Sequence, residues 1–286
     1  VPEPVAVAPR EEPKPEQAKP VQREPEPEPE PEKRSSADRA QGDEPAHPAL
    51  IVMVGPRLLW RSLTYDQDTM LNGYSSYQGG SGTGPGFTLA GNAQWFPGAH
   101  VRRGWPSDIG LEVDGDYSFL KSTYGGKEYK TKAYELAGSL LYRLPLGSFE
   151  PRFRVGYLLH KFDVQAPPEA LLPAVTYQSI RLNAGTLIHI VRAFNLDVAA
   201  GYLIVMSEGE FGKKRYAQDL SAYGWEVSGG ATYRIRDAYG IRVGAEFRRY
   251  AFDTGKSKND EIVLPKSGHD DYLRLTLSFV YALEGK

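Results

Sequence analysis

The residues with the chemistry to act on a substrate are few. Asp66 and Asp68 lie close together, and His269, Asp270 and Asp271 form an unbroken triplet far downstream. An imidazole beside carboxylates can activate a water. These two groups are expected at neighbouring strand ends, on one seam of a closed sheet, rather than facing each other across a mouth. The five histidines show no metal-ligand spacing. His160 and His189 stand inside alternating stretches, where a satisfied structural histidine is the simpler reading. Ser139 follows a glycine, but no nucleophile elbow surrounds it. The stretch GGSGTGPG at 79–86 is glycine-rich, yet a phosphate loop needs a following helix and this one leads into a strand. No catalytic, metal or cofactor site is expected. The absence of Cys excludes disulfides and thiolate metal sites within this sequence, and no N-terminal lipoprotein anchor is expected.

Many charged side chains instead recur at every second position of apolar stretches. Ile109, Leu111, Val113, Tyr117 and Phe119 share one face, with Glu112, Asp114 and Asp116 on the other. The same period-two pattern sets Leu136, Leu140, Tyr142 and Leu144 against Glu135, Ser139 and Arg143. It also sets Trp225, Val227 and Tyr233 against Glu226 and Arg234, and Ile241, Val243 and Phe247 against Arg242, Glu246 and Arg248. Such alternation marks β-strands with one apolar face. The charged faces together supply Arg57, Arg61, Glu112, Asp114, Asp116, Glu135, Arg143, Arg154, Arg181, Glu226, Arg234, Arg242, Glu246, Arg248 and Arg274. Inside a barrel of eight to ten strands, side chains about fill the interior, and charges buried there must pair. The expectation is a lumen plugged by salt bridges, with a narrow selective pore as the alternative. The alternation alone leaves open a soluble, lipocalin-like barrel with the apolar face inward.

Ten strands are expected, at about 50–65, 86–96, 107–122, 131–145, 151–164, 176–191, 194–207, 221–236, 239–252 and 271–283. The last alternates over its full length, long enough to cross a hydrocarbon layer at a tilt, which takes about 9–11 residues. The first is the least regular. Pro56 lies inside it, and Leu59 and Leu63 share a face with Arg57 and Arg61, so a bulge is expected near Pro56. Connections after odd strands are long or polar: 66–85, 123–130, 165–175, 208–220 and 253–270. Those after strands four, six and eight are short. The link 97–106 breaks the rule and is expected to lie in the lipid interface. Short turns on one side and long loops on the other are the habit of outer-membrane barrels with both termini periplasmic. Trp95, Phe96, Tyr142, Phe153, Phe194, Tyr233, Tyr239, Phe279 and Tyr281 cluster at these strand ends and are expected to form an aromatic girdle at the membrane boundary.

In this pattern, over about residues 50–286, the chain resembles the small outer-membrane barrels of Gram-negative bacteria, the OmpA-type and omptin-type proteins. The words WFPGAH at 95–100 and YRLPLG at 142–147 also resemble phrases of uncharacterised myxobacterial barrels with proline-rich N-terminal tails. The resemblance implies a location in the outer membrane and contact with its lipid, and no activity. Omptins place acidic pairs and a His–Asp dyad around the outer rim, which makes a surface hydrolase the remote alternative here.

Residues 1–49 differ in kind. They hold 12 of the 22 prolines and carry 12 acidic and 7 basic residues, with EPEPEPEPE at 24–32. Such a segment buries too little apolar surface to order itself, so a disordered, extended Pro/Glu-rich tail is expected. Its repeat resembles the spacer of TonB-type periplasm-spanning proteins in composition only. It is either a solvated spacer or a tether reaching peptidoglycan or a periplasmic protein. The chain begins with Val1, as expected where a leader has been removed. A net charge of −2 gives no argument for nucleic acid. The expected function is therefore a non-enzymatic envelope protein whose barrel anchors a tail and displays outer loops. Lys256, Lys258 and Lys266 of the last loop are candidate contacts for a surface ligand.

Overall fold

The structure is a computed structural model that describes residues 48–66, 76–79, 85–101, 104–124, 127–165, 174–209, 211, 220–253 and 267–285. The Pro/Glu-rich tail lies outside the described residues, as do Asp68, Lys256, Lys258 and Lys266.

The period-two segments form eleven strands in one antiparallel sheet: β1 (Pro48–Tyr65), β2 (Ser76–Gly79), β3 (Gly86–Trp95), β4 (Ile109–Tyr124), β5 (Lys127–Arg143), β6 (Phe149–Val164), β7 (Val175–Val191), β8 (Phe194–Ser207), β9 (Ser221–Arg236), β10 (Tyr239–Asp253) and β11 (Ser267–Glu284). Neighbours follow chain order, and β11 pairs with β1 from Pro48↔Glu284 to Tyr65↔Gly268, which closes the sheet into a barrel. Closure matters physically, because an open edge would leave a row of backbone donors and acceptors unsatisfied in lipid. The strand β3 pairs with β1 at Leu50–Leu59, while β2 pairs with it farther along, at Arg61–Thr64. The two share one position, so the barrel has ten staves, the even number usual for such proteins.

The alternation is oriented with its charged face inward. Val113 is 56% exposed and Leu136 54%, whereas their neighbours Glu112 and Glu135 are 3% and 4% exposed. The same holds around the wall, from Leu89 and Val155 to Val243, Leu275 and Leu277, all exposed. A soluble ligand-binding barrel would carry the opposite orientation. An apolar band on the outside requires an apolar surrounding, and no helix among the described residues is long and apolar enough to cross a membrane. Spanning therefore falls to the strands.

Three two-residue turns mark one end: Gly147–Ser148, Arg192–Ala193 and Asp237–Ala238. At the first, Leu146 and Phe149 exchange both backbone hydrogen bonds, and Gly147 takes φ +63°. A tight hairpin turn needs such positive φ, which glycine adopts without a Cβ clash. Both barrel termini, Pro48 and Glu284, lie at this short-turn end.

Three expectations need correction. No bulge occurs near Pro56. The register of β1 against β3 runs unbroken through it, that against β11 is the same on either side of Gly55 and Pro56, and the one shift lies at Pro48/Leu50. Leu59 and Leu63 share the face of Arg57 and Arg61 because the lumen itself turns apolar toward the far end. The expected 123–130 loop is largely strand, with Thr123↔Glu128 and Tyr124↔Lys127 paired in the β4–β5 hairpin. Outside the hydrocarbon layer both faces of a strand can be polar, so alternation fades before the strand ends. Likewise β11 starts at Ser267, inside the expected last loop. The link after β3 folds as two short 3-10 turns, Pro97–His100 and Trp105–Asp108, with Trp105 70% exposed.

Candidate functional site

The site is the lumen, which has three tiers. The tier nearest the long-loop end is packed. Leu59, Leu63, Leu158, Phe162, Tyr177, Tyr250, Phe252 and Tyr272 are buried in one cluster. Tyr177 stacks on Tyr250 at 3.8 Å between ring centroids. Arg61 donates to both oxygens of Asp270 at 2.8 Å, and its guanidinium lies 4.2 Å from the centre of the Phe162 ring. The hydroxyls of Tyr272 and Tyr177 donate to the same carboxylate at 2.8 and 3.2 Å. Asp270 is fully buried, so its charge is compensated by a bidentate guanidinium and two phenols.

The middle tier is built on Glu135 of β5. Arg274 donates to its two oxygens at 2.9 and 2.6 Å, Arg248 at 2.6 and 3.3 Å, and His160 Nδ1 lies 2.8 Å away. Arg248 also reaches Glu226 at 2.9 Å and Glu246 at 3.0 Å, and Arg274 reaches Glu246 at 2.9 Å. Arg181 bonds Glu226 at 2.6 Å and approaches Asp114 at 3.5 Å. Arg57 pairs with Asp116 and donates to Thr276 at 3.0 Å. Eight strands, β1, β4 to β7 and β9 to β11, thus contribute to a mesh joining β5 to β9, β10 and β11 across the barrel. Such a mesh holds only because nearly every charge has several partners; removing one strands the rest.

The third tier is a cavity of about 250 Å³ that reaches the short-turn end, where Pro48, Asp237, Ala238 and Ala282 line it. Its walls carry Asn92, Gln94, Glu112, Asp114, Arg154, Arg181, Asp197, Arg234 and Arg242. Arg154 pairs with Glu112 at 3.0 Å, and Arg242 with Asp197 at 3.1 and 2.6 Å. Arg234, by contrast, has no carboxylate partner among the described residues. Arg143 stands beside the cavity-lining Pro48. It lies 3.5 Å from Asp108, donates to the Pro48 and Ser107 carbonyls at 3.0 and 3.2 Å, and covers the Phe96 ring at 3.7 Å.

That contact removes Phe96 from the girdle. It is fully buried with Ala49, Ala99 and Leu141, because the chain turns inward after β3 and presents the ring to Arg143. The other eight face outward at strand ends, Trp95, Tyr142, Phe153, Tyr233, Tyr239 and Phe279 exposed and Phe194 and Tyr281 half-buried. Tyr239 packs against Phe279 and Tyr281 at 5.8 and 5.5 Å.

Sequence reasoning placed Asp270 on the rim with its neighbours, yet it lies inside β11 and faces the lumen. Its phase with Tyr272 and Arg274 carried that signal. Asp197, on β8, was missed because its strand shows few charges to reveal a face. At the rim, His269 lies 3.8 Å from Asp66 and 3.8 Å from Asp271, and Asp271 is held by Arg249 at 2.7 Å through both oxygens. These groups are neighbours across the β1–β11 seam. Among the described residues, no three His, Cys, Asp or Glu form a metal-holding group.

No family model matches this chain, and no curated protein does. Solved structures similar to it include the outer-membrane protease OmpT of Escherichia coli, at 10% identity and a TM-score of 0.44 over 85% of this chain and 99% of that one. Neisserial surface protein A is similar at 12% identity and 0.36, over 83% and 99%. A deletion mutant of the monoaromatic hydrocarbon channel TodX is similar at 5% identity and 0.34, over 84% and 91%. By its own geometry, a closed ten-stave antiparallel barrel with an apolar outer face and a charged lumen, the chain has the architecture of a small outer-membrane β-barrel.

Proposed function

We propose that this protein is an integral outer-membrane barrel with a non-enzymatic, structural or interaction role, both termini periplasmic, anchoring its N-terminal segment and displaying loops outside. The observation that carries this reading is the packed far half of the lumen. Arg61, Asp270, Tyr177, Tyr250, Tyr272 and Phe162 are all at most 2% exposed, and an Arg/Glu mesh in which each charge meets at least one opposite charge lies beneath them. A continuous water path would need these groups to be wetted. The rim supports the same reading, since His269 and its two carboxylates form one compact seam patch with Asp271 already committed to Arg249. The barrel's two ends, Pro48 and Glu284, meet at the short-turn end, which is the periplasmic side in barrels of this architecture.

The test is electrical. The folded protein should fractionate with outer membranes, migrate faster unboiled than boiled, and give no steady conductance in planar bilayers. Large, well-defined channels from the wild-type chain would replace this reading with that of a pore, the second reading that the cavity at the short-turn end favours. Protease added to intact cells should cut within 66–85 or 253–270 and spare Arg23 and Lys33; cleavage at those two from outside would reverse the orientation.

A further inference from the structure

Several polar groups that line the cavity at the short-turn end are not satisfied by one another. Gln94 is 4% exposed and Glu112 3%, yet Gln94 Oε1 and Glu112 Oε2 accept no hydrogen bond, nor does Asn92 Oδ1. The Arg154 guanidinium lies 3.0 Å from that Glu112 oxygen, without hydrogen-bond alignment, and its own Nε is left unused. All four residues line the cavity. They also share one wall, because Gln94 of β3 stands opposite Glu112 of β4 in the ladder, with Asn92 two residues from Gln94 on the same face. On the far side stand β7, β8, β9 and β10. There Arg242 is occupied by Asp197 and His189 by Asn195 at 2.9 Å, whereas Arg234 lines the cavity without a carboxylate partner among the described residues.

Buried acceptors left unpaired are costly, and the cost disappears when a bound molecule supplies the donors. One wall offers three oxygens with a carboxylate among them; the opposite wall offers an uncommitted guanidinium. A primary ammonium has three N–H donors, which matches the first wall. A carboxylate matches the fork of an arginine. We propose that this cavity is a binding site for a small zwitterion, an α-amino acid or a dipeptide, with its ammonium on Asn92, Gln94 and Glu112 and its carboxylate on Arg234. The volume of about 250 Å³ gives room for a molecule of that size. The closed tiers beyond make the site blind, so the ligand enters and leaves at the short-turn end. This goes beyond the anchoring role and is independent of it: a conducting barrel would remove that role and leave this site to be tested separately.

The experiment is calorimetric titration of the full chain, folded in detergent micelles, with glycyl-alanine, and with acetate, ethylammonium and glucose as comparators. The dipeptide should bind saturably with a dissociation constant in the millimolar range or below. Acetate and ethylammonium should each bind at least tenfold more weakly, and glucose should not bind. Arg234→Leu, near the cavity mouth, and Gln94→Leu, on the opposite wall, should each weaken the dipeptide about tenfold or more, as expected for loss of one charged or one buried hydrogen-bonding partner. Both variants should keep the unboiled fast-migrating form. Should Gln94→Leu fail to fold, Arg234→Leu and the comparators carry the test alone. No saturable heat with the dipeptide, equal affinity for acetate, binding of glucose instead, or undiminished binding in the variants would each overturn the proposal.

Discussion

The two halves of this lumen use the same strands and similar residues, yet one is solid and the other hollow. Toward the long-loop end, aromatic rings from β6, β7, β10 and β11 fill the space between charged pairs, and Arg61–Asp270 sits among them with no room for water. Toward the short-turn end small inward residues, among them Thr186, Ser228, Thr232 and Ser278, stand between the charged ones, and a cavity remains. Side-chain volume, rather than polarity, makes the difference. The teaching is that an alternating strand pattern states which face is inward but not whether the inside is full. The solid half derives stability from packing and multiply paired charges; the hollow half keeps pairs that water can screen.

That contrast can be broken most forcefully at its centre. Glu135→Leu leaves Arg248, Arg274 and His160 without their shared carboxylate. Breaking a buried network in this way costs about 3–5 kcal/mol, read as a large drop in the urea midpoint of folding into lipid vesicles. An unchanged midpoint would mean that water already reaches the middle tier. Next in size is Phe162→Ala in the packed tier, with an expected loss of about 3 kcal/mol from the void it creates. The same variant should raise single-channel conductance above the silence expected of the wild type, because the ring lies over Arg61. If it stays silent, the closure is spread over more residues than the Phe162 cluster.

The hollow half should respond less. Arg242 and Asp197 are both about a fifth to a quarter exposed, so Arg242→Met should cost about 1 kcal/mol or less once solvent screening is allowed for. Arg234→Met, with no carboxylate partner to strand, should stay within about 0.5 kcal/mol of wild type. Equal losses for Glu135→Leu and Arg242→Met would erase the distinction between the two halves.

The sequence by itself determined the strands, their two faces and the short-turn end. Period-two placement of Leu111, Val113 and Leu136 against Glu112, Asp114 and Glu135 leaves little other choice, because a one-residue slip would put every charge into the band now held by apolar groups. It also placed Asp66 and His269 together, since strands that close a barrel must bring their ends to one seam. It did not determine which face was inside, because the alternation is symmetric between a water-filled and a lipid-facing exterior. Nor did it reveal that Phe96 turns inward beneath Arg143, or that Leu59 and Leu63 belong to the lumen without any bulge. Those depend on what stands across the barrel. The partners of Glu135 on β10 and β11 are 113 and 139 residues away, and Asp270 meets Arg61 from 209 residues away. Only closure of the sheet brings such positions into contact, so pairing, packing and the cavity between unpaired groups were decided by the tertiary structure.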